Sequence, residues 1–199
     1  MFVHQFVKGE GPHTLLLLHG TGGDERDLLD LGRELAPRAH LLSPRGKVLE
    51  NGMPRFFRRL RPGVFDLEDL RLRTTELAEF VREAAGQYGF DAGKVTALGY
   101  SNGANIAASL LYREPGVLAG AALLRPMNPW PGEAAQGLEG VRVLLAAGRY
   151  DTMSSPGDVA EMRKVFEGAG AQVEEHWHEG GHELGPGDLA ATGRWLATA

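Results

Sequence analysis

The stretch from Lys94 to Leu111, KVTALGYSNGANIAASLL, constrains the fold more than any other, because it reads as strand, sharp turn and helix. Val95, Ala97 and Leu98 form a short apolar run suited to a buried strand, and Asn105–Leu111 returns apolar residues at helical spacing. Between them stands Gly99-Tyr100-Ser101-Asn102-Gly103, a GxSxG pentapeptide. In this motif a tight turn lifts the serine hydroxyl clear of a sheet, and the glycines let strand and helix approach each other. Ser101 is therefore the candidate nucleophile, placed near a helix N-terminus where unpaired N–H groups favour developing negative charge.

A chain of 199 residues suits one domain spanning residues 1–199, large enough to bury its own core. Its net charge of −5 argues against binding a nucleic-acid backbone. No run has the length of a membrane span, and MFVHQFVKGEG lacks the features of a signal peptide, so a cytoplasmic protein without stable membrane insertion is expected. With no cysteine, covalent catalysis falls to another side chain. A homodimer is left open.

Taken in order, Phe2–Val7 suits an edge strand, antiparallel to its neighbour, and Thr14–His19 is apolar on both faces, as a central parallel strand would be. Gly20-Thr21-Gly22-Gly23 follows, ahead of a helix near Arg26–Leu35. A glycine-rich turn there serves either phosphate or an oxyanion. A dinucleotide fingerprint would need glycine at Glu25 and a P-loop would need GK[ST], and neither is present. The oxyanion reading needs only exposed N–H groups, from Thr21 and from Asn102 after the serine. His19 is read as shaping this turn rather than transferring protons.

Ala39–Ser43 is a further strand, and the segment from Pro44 to Phe65 shows few regular signals. Its Met53, Phe56, Phe57, Leu60 and Phe65 are too apolar for a disordered linker, which makes them a pocket wall or satellite packing. Arg55, Arg58, Arg59 and Arg61, interleaved with them, suit a solvated salt-bridged face, with an anionic substrate or a membrane surface as alternatives. Asp66–Tyr88 has the spacing of a long helix, and Ala119–Leu124 that of a buried strand. In the loop Arg125–Pro131, Met127 and Trp130 either line the substrate pocket or serve the structure.

Val141–Ala147 is a strand leading to Asp151, ahead of a helix from Pro156 to about Phe166. Asp151 is the candidate acid, because Asp158 and Asp188 fall at helix starts, where acids act as caps. Gln172–His178 is the last strand, and the loop after it carries His182, the candidate base, before a helix from about Gly187 to Ala197. His178-Glu179-Gly180-Gly181-His182 also spells HExxH, but that zinc motif requires a helix, which paired glycines disfavour. No metal is expected. His176 and His178 share a strand face as surface or packing residues.

Oxyanion turn, serine, aspartate and histidine, each after its own strand, follow the order expected of an α/β-hydrolase. LLHGTGGDERDL (Leu17–Leu28), SPRG (Ser43–Gly46), NGMPRFF (Asn51–Phe57), GYSNGAN (Gly99–Asn105), GRYD (Gly148–Asp151) and GGH (Gly180–His182) span nearly all of the chain. On these segments it resembles the phospholipase/carboxylesterase family, and HGTGG with NGMPRFFRR looks like its bacterial branch of hydroquinone-detoxification esterases. The resemblance implies an α/β fold with a mostly parallel sheet of about seven strands, helices on both faces and no large cap domain. It also implies a Ser101–His182–Asp151 triad, an oxyanion hole at Thr21 and Asn102, and a small-molecule ester substrate without a cofactor. The thioesterase aromatic pair Trp-Phe is replaced by Phe56-Phe57. An acyl-protein thioesterase or lysophospholipase is the alternative enzyme, and a non-catalytic binding protein of the same fold the alternative class.

Overall fold

The side chains of Thr14–Leu18 (β2) define the layers of the molecule. Leu16 and Leu18 enter one apolar cluster while Leu15 and Leu17 enter another, as the two-residue repeat of a strand requires. The computed structural model describes residues 2–198. Around β2 the chain forms His4–Val7 (β1), His40–Pro44 (β3), Val48–Glu50 (β4), Met53–Arg55 (β5), Arg59–Arg61 (β6) and Val64–Phe65 (β7). Later come Val95–Tyr100 (β8), Gly120–Leu124 (β9), Arg142–Gly148 (β10) and Gln172–His178 (β11). The helices are Leu29–Leu35 (α1), Leu67–Tyr88 (α2), Asn102–Arg113 (α3), Pro156–Gly168 (α4) and Pro186–Leu196 (α5).

Seven strands form one sheet in the order β1-β3-β2-β8-β9-β10-β11, parallel throughout except for β1, which pairs antiparallel with β3 at the edge. On one face Leu70 and Phe80 of α2, Ile106 and Leu110 of α3 and Met162 and Phe166 of α4 join the larger apolar cluster. On the other, Leu31 and Leu35 of α1 and Trp195 of α5 pack on the smaller one. Strands covered on both sides carry few polar side chains, which is why β2, β8 and β9 read as continuous apolar runs.

Local chemistry sets the helix ends. The Asp66 carboxylate accepts the Asp69 N–H at the start of α2 (3.1 Å), and Gly89 closes that helix at φ +72°. Ser155 and Asp158 form a reciprocal capping box at α4 with Pro156 in its first turn.

The segment after β3 is more regular than its sequence predicts, for it folds into two short hairpins, β4–β5 and β6–β7. Strands of two or three residues are too short to show a two-residue repeat. The signal was in the turn: Asn51 and Gly52 both take positive φ (+52° and +80°), the hairpin geometry that Asn-Gly favours.

Candidate active site

β8 and α3 meet at Ser101, which sits at φ +52°, ψ −113°. A non-glycine residue rarely occupies such a conformation, and holding it there costs on the order of 1–3 kcal/mol. Close packing on either side fixes it. A Cβ at Gly103 would lie 1.9 Å from the Leu18 carbonyl oxygen, and one at Gly99 would lie 2.5 Å from that of Gly103. The Ser101 N–H donates to the carbonyl of Leu124 on β9 (2.9 Å), so the turn is also tied to the neighbouring strand.

The loops after β10 and β11 bring two further groups to the serine. His182 Nε2 lies 2.8 Å from Ser101 Oγ, and His182 Nδ1 lies 2.8 Å from Asp151 Oδ2. An ionised carboxylate only accepts, so Nδ1 carries the proton and Nε2 is left to accept from the serine hydroxyl. The other oxygen of Asp151 accepts the N–H groups of Met153 (2.8 Å) and Ser154 (3.1 Å), which orient the buried carboxylate. Tyr100 Oη donates to the His182 carbonyl at 3.1 Å.

Beside Ser101 lie Thr21 and Asn102, whose backbone N–H groups donate to no acceptor among the described residues. Their side chains are held by the segment containing β5. Arg55 Nη1 donates to Thr21 Oγ1 (2.6 Å), the Phe56 N–H to Asn102 Oδ1 (2.7 Å) and the Gly22 N–H to the Pro54 carbonyl (2.9 Å). His19 braces the same turn: its Nε2 accepts the Gly46 N–H (3.0 Å), which leaves Nδ1 to donate to the Gly20 carbonyl (2.6 Å). Burial pushes its pKa down, so the ring is neutral and structural.

A cavity of about 620 Å³ opens over Ser101 and His182, and Met127 and Met153 line it. The other three candidates for contacting substrate are displaced into the core. Phe56 and Phe57 are 1% and 0% exposed, Phe56 against the His19 ring (4.7 Å) and Phe57 edge-on to Phe65 (5.0 Å). Trp130 donates from Nε1 to Ser109 Oγ (2.8 Å) beneath the Arg113 guanidinium. Burying these large rings inside the domain outweighs displaying them at a cleft. Phe65, Arg55 and Arg59 stand in a small adjoining recess instead.

The arginine run divides. Arg58 is exposed and pairs with Asp66 (3.0 Å), as a solvated face would. Arg59 clasps Glu50 through Nε and Nη2, and the buried Arg55 reaches the same carboxylate at 3.3 Å. Arg59's hydrogen bonds hold the Glu50 carboxyl below its ordinary range, while burial and the neighbouring Arg59 charge push Arg55 down.

Sequence reasoning missed Arg125. Its guanidinium and the Asp188 carboxylate are both 0% exposed, joined at 2.7 Å and 3.0 Å. Arg125 also donates to the carbonyls of Gly181 (3.0 Å) and Glu183 (2.9 Å), on either side of His182. Asp188 does stand in the first turn of α5, as read, where it accepts the Gly185 N–H (2.8 Å). Nothing in the local spacing marks a partner 63 residues away. His178 ends β11 and His182 lies in the turn beyond it, so the HExxH residues never form the helix a zinc site needs.

Relatives agree with this architecture. The chain is 48% identical to the Bacillus subtilis protein MhqD, a hydrolase by name, over 196 residues that cover 98% of each chain. The crystal structure of a Bacillus cereus carboxylesterase superposes with a TM-score of 0.97 at 48% identity, over 100% of this chain and 94% of that one. A carboxylesterase from Mesorhizobium loti gives 0.89 at 37% identity, over 96% of this chain and 91% of that one. No family model matches. Fold and relatives together define an ester hydrolase of the α/β-hydrolase type. Within that class the chain belongs to the phospholipase/carboxylesterase family. Among the described residues no helix is long and apolar enough to cross a membrane.

Proposed function

We propose that the chain is a serine carboxylesterase acting on small to medium esters through an acyl-enzyme. The observation that carries this reading is the unbroken hydrogen-bond path from Ser101 Oγ through His182 to Asp151, with 2.8 Å at each step. His182 Nε2 takes the hydroxyl proton as Ser101 attacks the ester carbonyl, while Asp151 holds the tautomer and stabilises the imidazolium. The N–H groups of Thr21 and Asn102 receive the oxyanion. The alcohol departs with the proton from His182, and a water activated by the same ring then releases the acid.

Intact-protein mass after treatment with a fluorophosphonate tests the reading, alongside hydrolysis of p-nitrophenyl esters of increasing chain length. A single adduct, absent from Ser101→Ala, is expected, with short chains preferred. A preference for long acyl chains would move the assignment to a thioesterase or lysophospholipase. An unlabelled, folded and inactive protein would remove the catalytic reading.

A further inference from the structure

The recess beside Ser101 has an unusual charge balance. Arg55 and Arg59 are the charged side chains that line it, together with Phe65, Asn102 and Asn105. They share a single carboxylate, Glu50, which leaves one positive charge uncompensated. Several donors are also uncommitted. Arg55 spends Nε on the Phe57 carbonyl and Nη1 on Thr21, and Arg59 spends Nε and Nη2 on Glu50. Arg55 Nη2 and Arg59 Nη1 donate to no acceptor among the described residues. Two guanidinium groups with unused donors, lining one recess with Ser101, are arranged to meet an anion.

The position of the recess says which half of the ester carries that anion. The departing alcohol must collect its proton from His182 Nε2, and His182 and Thr152 line the wide outer cavity. Arg55 and Asn102 line the inner recess and not the outer cavity, His182 lines the outer cavity and not the recess, and Arg59 stands at the border of both. An ester with its alcohol toward His182 therefore directs its acyl chain toward Arg55 and Arg59. The recess holds only about 20 Å³, room for one small polar group, so the carboxylate alone enters it and the chain linking it to the ester is short.

Given the esterase reading above, on which this rests, we propose that the preferred substrates are half-esters of short dicarboxylic acids. Their free carboxylate docks on Arg59 and Arg55 while Ser101 attacks the ester carbonyl. Hydrolysis then yields the dicarboxylate and the alcohol. Arg59 is the specificity residue, and Arg55 serves both the carboxylate and the Thr21 turn.

Monoethyl succinate and ethyl 4-methylpentanoate differ in charge but little in shape, and ethanol release follows both. At low salt kcat/KM is expected to favour the succinate half-ester by roughly tenfold or more, the worth of one charge-assisted hydrogen bond, and the margin to shrink as salt is added. Arg59→Gln leaves the recess neutral and should lower the succinate-to-neutral ratio by about tenfold, with partial recovery in Arg59→Lys. Glu50→Gln should raise the ratio, a change of sign that a merely damaged site would not produce. Hydrolysis of the neutral ester with no advantage for the succinate, or a ratio indifferent to Arg59→Gln, overturns the arginine assignment alone. Failure of the folded protein to hydrolyse either ester overturns the esterase reading and this assignment with it.

Discussion

Asp188→Asn keeps the shape of the side chain and removes one negative charge from a place where neither partner reaches water. In the native protein the carboxylate accepts two hydrogen bonds from Arg125 and one from the Gly185 N–H. The amide retains part of this network but leaves the guanidinium uncompensated, and breaking a buried pair from one side costs about 3–5 kcal/mol. The isosteric change belongs at the lower end, so about 3 kcal/mol of unfolding free energy should be lost, a fall in Tm of roughly 6–12 °C for a domain of this size. Urea unfolding followed by tryptophan fluorescence at pH 7 measures the loss directly. The pH dependence supplies a second, independent reading. Burial pushes the Asp188 carboxyl up, yet the Arg125 hydrogen bonds and the Gly185 N–H outweigh it and hold the group below its ordinary 3.8. A carboxyl depressed in the folded state contributes its full stability above the unfolded value and loses it as pH falls through the folded one. The gap between native protein and variant, compared from pH 5 downward, should therefore narrow as pH falls below about 4. A loss under about 1 kcal/mol, or a gap that does not narrow in acid, would refute this account of the pair.

Other perturbations address the site itself. Asp151→Asn should leave folding intact and lower kcat by about 10⁴, because the imidazole loses the partner that selects its tautomer; steady-state kinetics with circular dichroism checks both halves. Gly103→Ala should destabilise by more than about 4 kcal/mol or prevent folding, since the added carbon would meet the Leu18 carbonyl, and urea unfolding or the soluble yield reports it. His19 predicts a weakening on mild acidification. Its folded pKa is lowered by burial from 6.5, so the unfolded chain binds the proton first and stability falls as pH drops below about 6.5. Urea titrations at pH 7.5 and 5.5 should show that slope in the native protein and a smaller one in His19→Asn.

Much of this was legible because covered parallel strands announce themselves as apolar runs. β2, β8, β9 and β10 match their predicted spans to within a residue or two, and with them the loops carrying Thr21, Ser101 and Asp151. β11, which leads to His182, is legible from its alternation and the glycines after it. What stayed hidden depended on side-chain direction or on distance along the chain. Phe56 and Phe57 looked like pocket aromatics because they sit in an irregular segment, yet the backbone of that segment braces the Thr21 turn and Asn102, and both rings lie inward. Trp130 was displaced for a related reason, since its indole finds Ser109 in the interior. Arg125 and Asp188 are unremarkable singly, and only the folded chain brings them together. The first of the two hairpins was within reach, for Asn51-Gly52 is a turn signal in its own right.

The strand that steadies Thr21 and Asn102 does so in part through its main chain, with the Pro54 carbonyl and the Phe56 amide. Such support is largely blind to what decorates the tips on either side of it. At Gly52 and Gly63 an added carbon would meet no heavy atom within 4 Å, and Gly63 faces the cavity. A laboratory seeking new substrates thus has two handles, the Asn51–Gly52 and Pro62–Gly63 tips, where the loops can be lengthened provided the glycines, at φ +80° and +77°, are kept. The rim of the cavity can then be altered beside Gly63 without touching Ser101, His182 or Asp151.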